Sequence, residues 1–359
     1  MKRVIFAVLI TAATGFHAAS AANPVGEMHL TATEPTAALR DAQHRDVLRI
    51  TIWYPAAAGI EERAVTMGPP KQPLRDVGQD APNAPFAAGD ARRPAILLSH
   101  GFGGSARIMG WLGIPLARAG YVVIAVDHPG NNGIDPMTVA GAILWWDRAE
   151  DLRTALDAVR RDPAIAPHLD ADDLGLAGFS AGGFTVFVAA GARVDRAHFF
   201  QFCAAHPEDG VCRPQRELAL SQKDIEAAER EPDIAADIAR AGDNYAIPGV
   251  RAVFAIAPVL VQALDPDSLR HIGVPVSIVL GDADTVAPPA TNGFVAAALI
   301  SGAHLTQLPG VGHYDFLADC TDAGRRIVPV CRTAVPQKAT HAAAIDAALA
   351  LFTATLGKP

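Results

Sequence analysis

Residues 174–183 read Leu-Gly-Leu-Ala-Gly-Phe-Ser-Ala-Gly-Gly. Leu174–Phe179 is an apolar run of strand length, and Ala181–Ala190 is a helix-length stretch of small and apolar residues. Between them, Gly178-Phe179-Ser180-Ala181-Gly182 fits G-x-S-x-G. The pentapeptide alone is a weak signal. Placed between a buried strand and a helix, it becomes the sharp turn that lifts a serine hydroxyl above the end of a sheet. Such a turn brings backbone against backbone, so positions 178 and 182 need glycine. It also leaves the Ser180 hydroxyl near the positive end of the following helix. The plain alternative is a serine that merely caps that helix; the context favours the turn.

The pattern continues on both sides. Upstream, Asp46–Tyr54 alternates polar and apolar residues as a strand, while Ala95–Ser99 and Tyr121–Val126 are short continuous apolar runs. Helical stretches are expected near Gly110–Ala119 and over Trp146–Arg161. Downstream, Val250–Ile256, Val274–Leu280 and His304–Leu308 read as strands and Lys338–Leu356 as a final helix. Strands alternating with helices predict an α/β fold, a mostly parallel central sheet with helices on both faces. Two segments break the pattern. Residues 56–93, rich in Pro, Gly and Ala, read as a long surface loop. Residues 192–248, with a charged helix-prone stretch from Arg216 to Arg240, read as a cap-like insertion.

The chain has 359 residues, half of them hydrophobic, which is enough for a full core. A formal net charge of −8 gives no electrostatic footprint for nucleic acid. Lys2 and Arg3 precede an apolar run from Val4 to Ile10 and small residues ending Ala19-Ser20-Ala21. This is the layout of a secretory signal over residues 1–21, leaving one domain over 22–359 and no membrane span in the mature protein. Export, to the periplasm or beyond, sets the reading of the four cysteines. Two local disulfides, Cys203 with Cys212 and Cys320 with Cys331, are the simplest pairing, and neither pair has zinc spacing.

Around the Ser180 turn and these strands the chain resembles the α/β-hydrolase superfamily, and within it the bacterial relatives of platelet-activating-factor acetylhydrolase and the dienelactone-hydrolase-like serine esterases. The matching segments are Trp53-Tyr54-Pro55, Ser99-His100-Gly101-Phe102-Gly103-Gly104, the Ser180 turn, Gly281-Asp282-Ala283-Asp284 and Gly312-His313-Tyr314-Asp315-Phe316. The resemblance implies a Ser-His-Asp triad acting on carboxylic esters through an acyl-enzyme. Dienelactone hydrolases carry Cys where this sequence has Ser180, which sets that lactone chemistry aside.

A serine hydroxyl needs a base within hydrogen-bond reach. His313, in the Gly-rich loop after the strand His304–Leu308, stands where the resemblance expects it; His304 and His341 are poorly placed. The imidazole needs a carboxylate to fix its tautomer. The resemblance assigns Asp284, with Asp282 as the rival. Platelet-activating-factor relatives take the acid from the end of the preceding strand, where this chain has Ala257-Pro258 and no carboxylate. Oxyanion donors are expected at the Ala181 amide and, from the resemblance, the Phe102 amide. Trp111, Met137, Trp145, Trp146 and Phe184 are candidate pocket residues. Asp127-His128 reads as loop-shaping, as does His100. No motif calls for a cofactor or metal. A small-molecule ester is the expected substrate. Polyesterase, lipase, peptidase, acyltransferase and binding-module readings stay open, as does the oligomeric state.

Overall fold

Ala95, Ile96, Leu97 and Leu98 are all fully buried, and they divide between two cores. Ala95 and Leu97 join one, Ile96 and Leu98 the other. Side chains alternate across a strand, so a strand feeding two cores is covered on both faces. The computed structural model describes residues 23–89 and 92–357; the signal reading of residues 1–21 lies outside them.

Among the described residues the strands are β1 (Val25–Thr33), β2 (Val47–Pro55), β3 (Arg63–Met67), β4 (Arg75–Pro82), β5 (Arg93–Ser99), β6 (Val122–Asp127), β7 (Leu169–Phe179), β8 (Val250–Ile256), β9 (Val276–Gly281), β10 (His304–Leu308) and β11 (Asp319–Cys320). They form one sheet in the order β10-β9-β8-β7-β5-β6-β2-β1-β4-β11, with β3 against β4. The six strands β5 to β10 run parallel to their neighbours among themselves. The β1–β2 and β2–β6 pairs are antiparallel. Helices Asp147–Arg161 and Ala181–Ala189 pack in one core, Gly110–Arg118 and Gln337–Leu356 in the other. The expected mostly parallel sheet with helices on both faces is therefore present.

Three local readings change. Residues 56–93 are not one loop: β3 and β4 form an antiparallel pair there. Each strand is short, and Val65, Val77 and the half-buried Met67 carry the apolar side of the pair into the core around Trp53, too few points to show a period of two. Strand β1 lies ahead of the first expected strand and pairs with all of β2, from Val25↔Pro55 to Thr33↔Val47. The charged stretch after residue 216 is two short helices, Gln222–Ala228 and Pro232–Ile238, because Pro232 starts a new helix. Before them, helix Arg196–Ala205 is joined to the turn Gly210–Cys212 by the Cys203–Cys212 disulfide. The second disulfide is Cys320–Cys331.

Candidate active site

Strand β7 ends at Phe179 and the next helix begins at Ala181, leaving Ser180 to make the whole turn at φ 57° and ψ −118°. A non-glycine residue at positive φ costs on the order of 1–3 kcal/mol and needs its surroundings to hold it. They do so here. Ser180 N–H donates to Ile256 O in β8 at 2.8 Å, and its carbonyl accepts from the amides of Gly183, Phe184 and Val259. The flanking glycines are needed sterically. A Cβ on Gly178 would lie 2.1 Å from Gly182 O, and one on Gly182 would lie 2.0 Å from Ser99 O. Both obstacles are backbone, so neither swings aside. Gly182→Ala is expected to cost about 3 kcal/mol or more of stability; an unchanged thermal midpoint would refute that.

Strand β10 delivers His313 into the short 3-10 turn His313–Phe316. Its Nε2 lies 2.8 Å from Ser180 Oγ and its Nδ1 lies 2.7 Å from Asp284 Oδ2. The Asp284 carboxylate only accepts, so Nδ1 donates to it and Nε2 is left to accept from the serine hydroxyl. The second Asp284 oxygen accepts from the amides of Val286 at 2.9 Å and Ala287 at 2.8 Å, which fixes the carboxylate after β9. All three side chains are buried. Asp282 goes elsewhere: its Oδ1 accepts from Gly310 N at 2.6 Å, bracing the loop that leads to His313. His304 is exposed, and His341 stacks on Trp111 with ring centroids 4.0 Å apart.

The loop after β5 crosses Ser180 closely enough that a Cβ on Gly101 would be 3.1 Å from Ser180 Cβ. Among the described residues, no acceptor is hydrogen-bonded to the Phe102 or the Ala181 amide. Both residues line the same cavity as Ser180. His100 props this loop: its Nδ1 meets Gly101 O at 2.6 Å and its Nε2 accepts from His128 N–H. Burial pushes both imidazoles well below their ordinary range, which favours their neutral forms in the core.

The cavity is about 310 Å³ and mainly apolar in lining. Trp145, Phe184, Ala142 and Ile143 line it from the main fold; Phe199, Val211, Leu218, Leu220 and Ile225 line it from the 192–248 segment. Of the other candidate pocket residues, Trp111 and Trp146 are buried elsewhere, and Met137 lies beside Gly103. Tyr314 O–H donates to Glu217 at 3.1 Å, tying the same segment to the His313 turn.

The sequence model of the Alpha/beta hydrolase family matches residues 96–327. The chain belongs to that family. Its solved relatives include the ferulic acid esterase from Streptomyces cinnamoneus, which is 21% identical with a TM-score of 0.60, over 94% of this chain and 91% of that one. At that identity the likeness speaks for the fold. None of the curated proteins matches this chain. Ser180, Asp284 and His313 follow β7, β9 and β10 in the chain order usual for an α/β-hydrolase.

One group in this α/β-hydrolase escaped the sequence. Arg148 and Asn131 are buried against the loop after β5, at the polar edge of the cavity that holds Ser180. Next to them Ser99, His128 and Asp151 form a hydrogen-bonded row, with 2.8 Å from Ser99 Oγ to His128 Nε2 and 2.7 Å from Nδ1 to Asp151. It has the outline of a second triad, yet all three side chains are completely buried, so no substrate reaches it. The available signal was Asp147, Arg148 and Asp151 sharing a helix face with the core residues Leu152 and Ala155.

Proposed function

We propose that this protein is an exported serine hydrolase that cleaves carboxylic esters through an acyl-enzyme. The observation that carries the reading is the unbroken row from Ser180 Oγ through His313 to Asp284, at 2.8 and 2.7 Å, on the wall of an apolar cavity. His313 takes the hydroxyl proton as Ser180 attacks the ester carbonyl. The Asp284 carboxylate holds the imidazole orientation and stabilises the imidazolium. The Phe102 and Ala181 amides receive the oxyanion. His313 then gives its proton to the departing alcohol, and water deprotonated by the same imidazole releases the acid.

The 192–248 segment acts as a cap over one domain spanning 22–359, since it supplies Phe199, Val211, Leu218, Leu220 and Ile225 to the apolar lining. A mainly apolar cavity of about 310 Å³ suits a compact aliphatic or single-ring group. Export follows from the signal layout of residues 1–21, and two disulfides in the folded chain fit an oxidising compartment. The test is hydrolysis of p-nitrophenyl esters from acetyl to palmitoyl, together with fluorophosphonate labelling mapped by peptide mass. Turnover peaking at short or medium chains, with the label on Ser180, is expected. A protein that neither turns over esters nor takes the label would end the reading.

A further inference from the structure

We infer that Arg148 is a positioning residue for the oxyanion hole, its guanidinium holding together the two segments that supply the Phe102 and Ala181 amides. The inference rests on the proposed esterase reading. Arg148 NH2 donates to His100 O, inside the loop after β5, and to Ser99 Oγ at 3.4 Å. NH1 donates to Asn131 Oδ1 at 3.2 Å, and that same oxygen accepts from Gly103 N–H at 3.1 Å. The loop is thus held on both sides of Phe102. On the opposite edge, Nε donates to Thr185 Oγ1 at 3.0 Å, and the Thr185 hydroxyl donates to Ala181 O at 2.9 Å. One planar fork therefore reaches both halves of the hole.

This arrangement is specific to arginine. A lysine ammonium has the charge but not the fixed fan of donors, so it cannot meet the loop, Asn131 and Thr185 together. None of the four hydrogen-bond acceptors is a carboxylate. Burial accordingly draws the Arg148 guanidinium down to about 9, with the Asp151 charge partly opposing the shift. A cation held in the core without a direct carboxylate partner is a poor stabilising device. What its contacts do accomplish is to fix a loop and a helix start whose amides must not move as charge builds on the carbonyl oxygen. An amide aimed at the developing oxyanion acts in the transition state, so misplacing it lowers kcat and leaves substrate binding nearly alone.

The experiment compares wild type, Ser180→Ala, Arg148→Lys, Arg148→Met, Asn131→Ala and Thr185→Val on a p-nitrophenyl ester, with kcat normalised by active-site titration in every protein that keeps Ser180. Two inhibitors accompany it: a trifluoromethyl ketone, whose adduct with serine carries the oxyanion, and an ether analogue lacking the carbonyl. Arg148→Met is expected to lose about 10²-fold in kcat, and Arg148→Lys, Asn131→Ala and Thr185→Val about tenfold each, with KM within threefold. Trifluoromethyl ketone affinity should fall in step with kcat while ether affinity holds. A folding defect alone would change the number of titrated sites and leave that ratio untouched. If Arg148→Met does not fold, Asn131→Ala and Thr185→Val decide. Normalised kcat at the wild-type level in the variants that fold, or equal losses for both inhibitors, would overturn the inference. Wild type inactive on every ester would instead remove the esterase reading and this inference with it, an outcome visible in the wild-type arm alone.

Discussion

Replacing Ser180 by Ala is expected to lower ester turnover by about 10⁵- to 10⁶-fold while leaving the thermal midpoint where it was. The two halves of that expectation have separate causes. Alanine removes the oxygen that His313 Nε2 reaches, so no acyl-enzyme can form, and what remains is the weak help of the oxyanion donors to an attacking water. Alanine keeps the Cβ. The cost of holding φ at 57° comes from the Cβ and backbone, not from the hydroxyl, so the turn is no more and no less strained than before. The four backbone hydrogen bonds that hold residue 180 to Ile256, Gly183, Phe184 and Val259 are also unaffected. Steady-state kinetics on p-nitrophenyl butyrate and a thermal melt on the same sample check both halves. A variant keeping a tenth of the turnover would remove Ser180 as the nucleophile, and a collapsed midpoint would make the activity loss uninformative about chemistry.

What could be read in advance follows from where chemistry and pattern coincide. The centres of β5, β6, β8 and β9 are buried on both faces, so Ala95–Leu98, Val122–Val126, Ala252–Ile256 and Ile278–Leu280 are unbroken apolar runs. The turn at Ser180 was legible because two glycines are demanded by backbone contacts of about 2 Å. His313 and Asp284 were legible because each sits just past a readable strand, and the structure brings both into hydrogen-bonding contact with the row that starts at Ser180. Strands β3 and β4 were hidden because they are buried on one side only and offer Val65 and Val77 as almost their whole apolar signature. Arg148 was hidden for another reason. Its partners are a carbonyl at 100 and side chains at 99, 131 and 185, brought together by the sheet order, and a backbone carbonyl leaves no mark in sequence. The cavity lining contributed by 199–225 was equally unreadable. Its short helices and irregular chain are tied by the Cys203–Cys212 link and the Glu217–Tyr314 contact, and neither leaves a periodic mark in sequence.

Asp284→Asn is expected to reduce kcat by about 10⁴-fold with KM nearly unchanged, and Asp282→Asn to reduce it by less than tenfold. In the native site Asp284 uses one oxygen for the amides of Val286 and Ala287 and the other for His313 Nδ1. An asparagine side chain has a single oxygen and can serve only one of these two sets of donors. Two backbone N–H donors hold it more strongly than one imidazole, so the oxygen stays with Val286 and Ala287 and the NH2 group turns to His313. Nδ1 then has to accept, the ring proton moves to Nε2, and Nε2 can no longer take the proton from Ser180. Geometry survives and the base is lost. Asp282 acts differently. Its Oδ1 accepts from Gly310 N at 2.6 Å, which an asparagine oxygen does as well, so the loop carrying His313 stays in place. Measuring kcat for the two variants side by side therefore tells the orienting carboxylate from the loop brace. A large loss in Asp282→Asn with Asp284→Asn near wild type would reverse the assignment and make Asp282 the partner of His313 in the working enzyme.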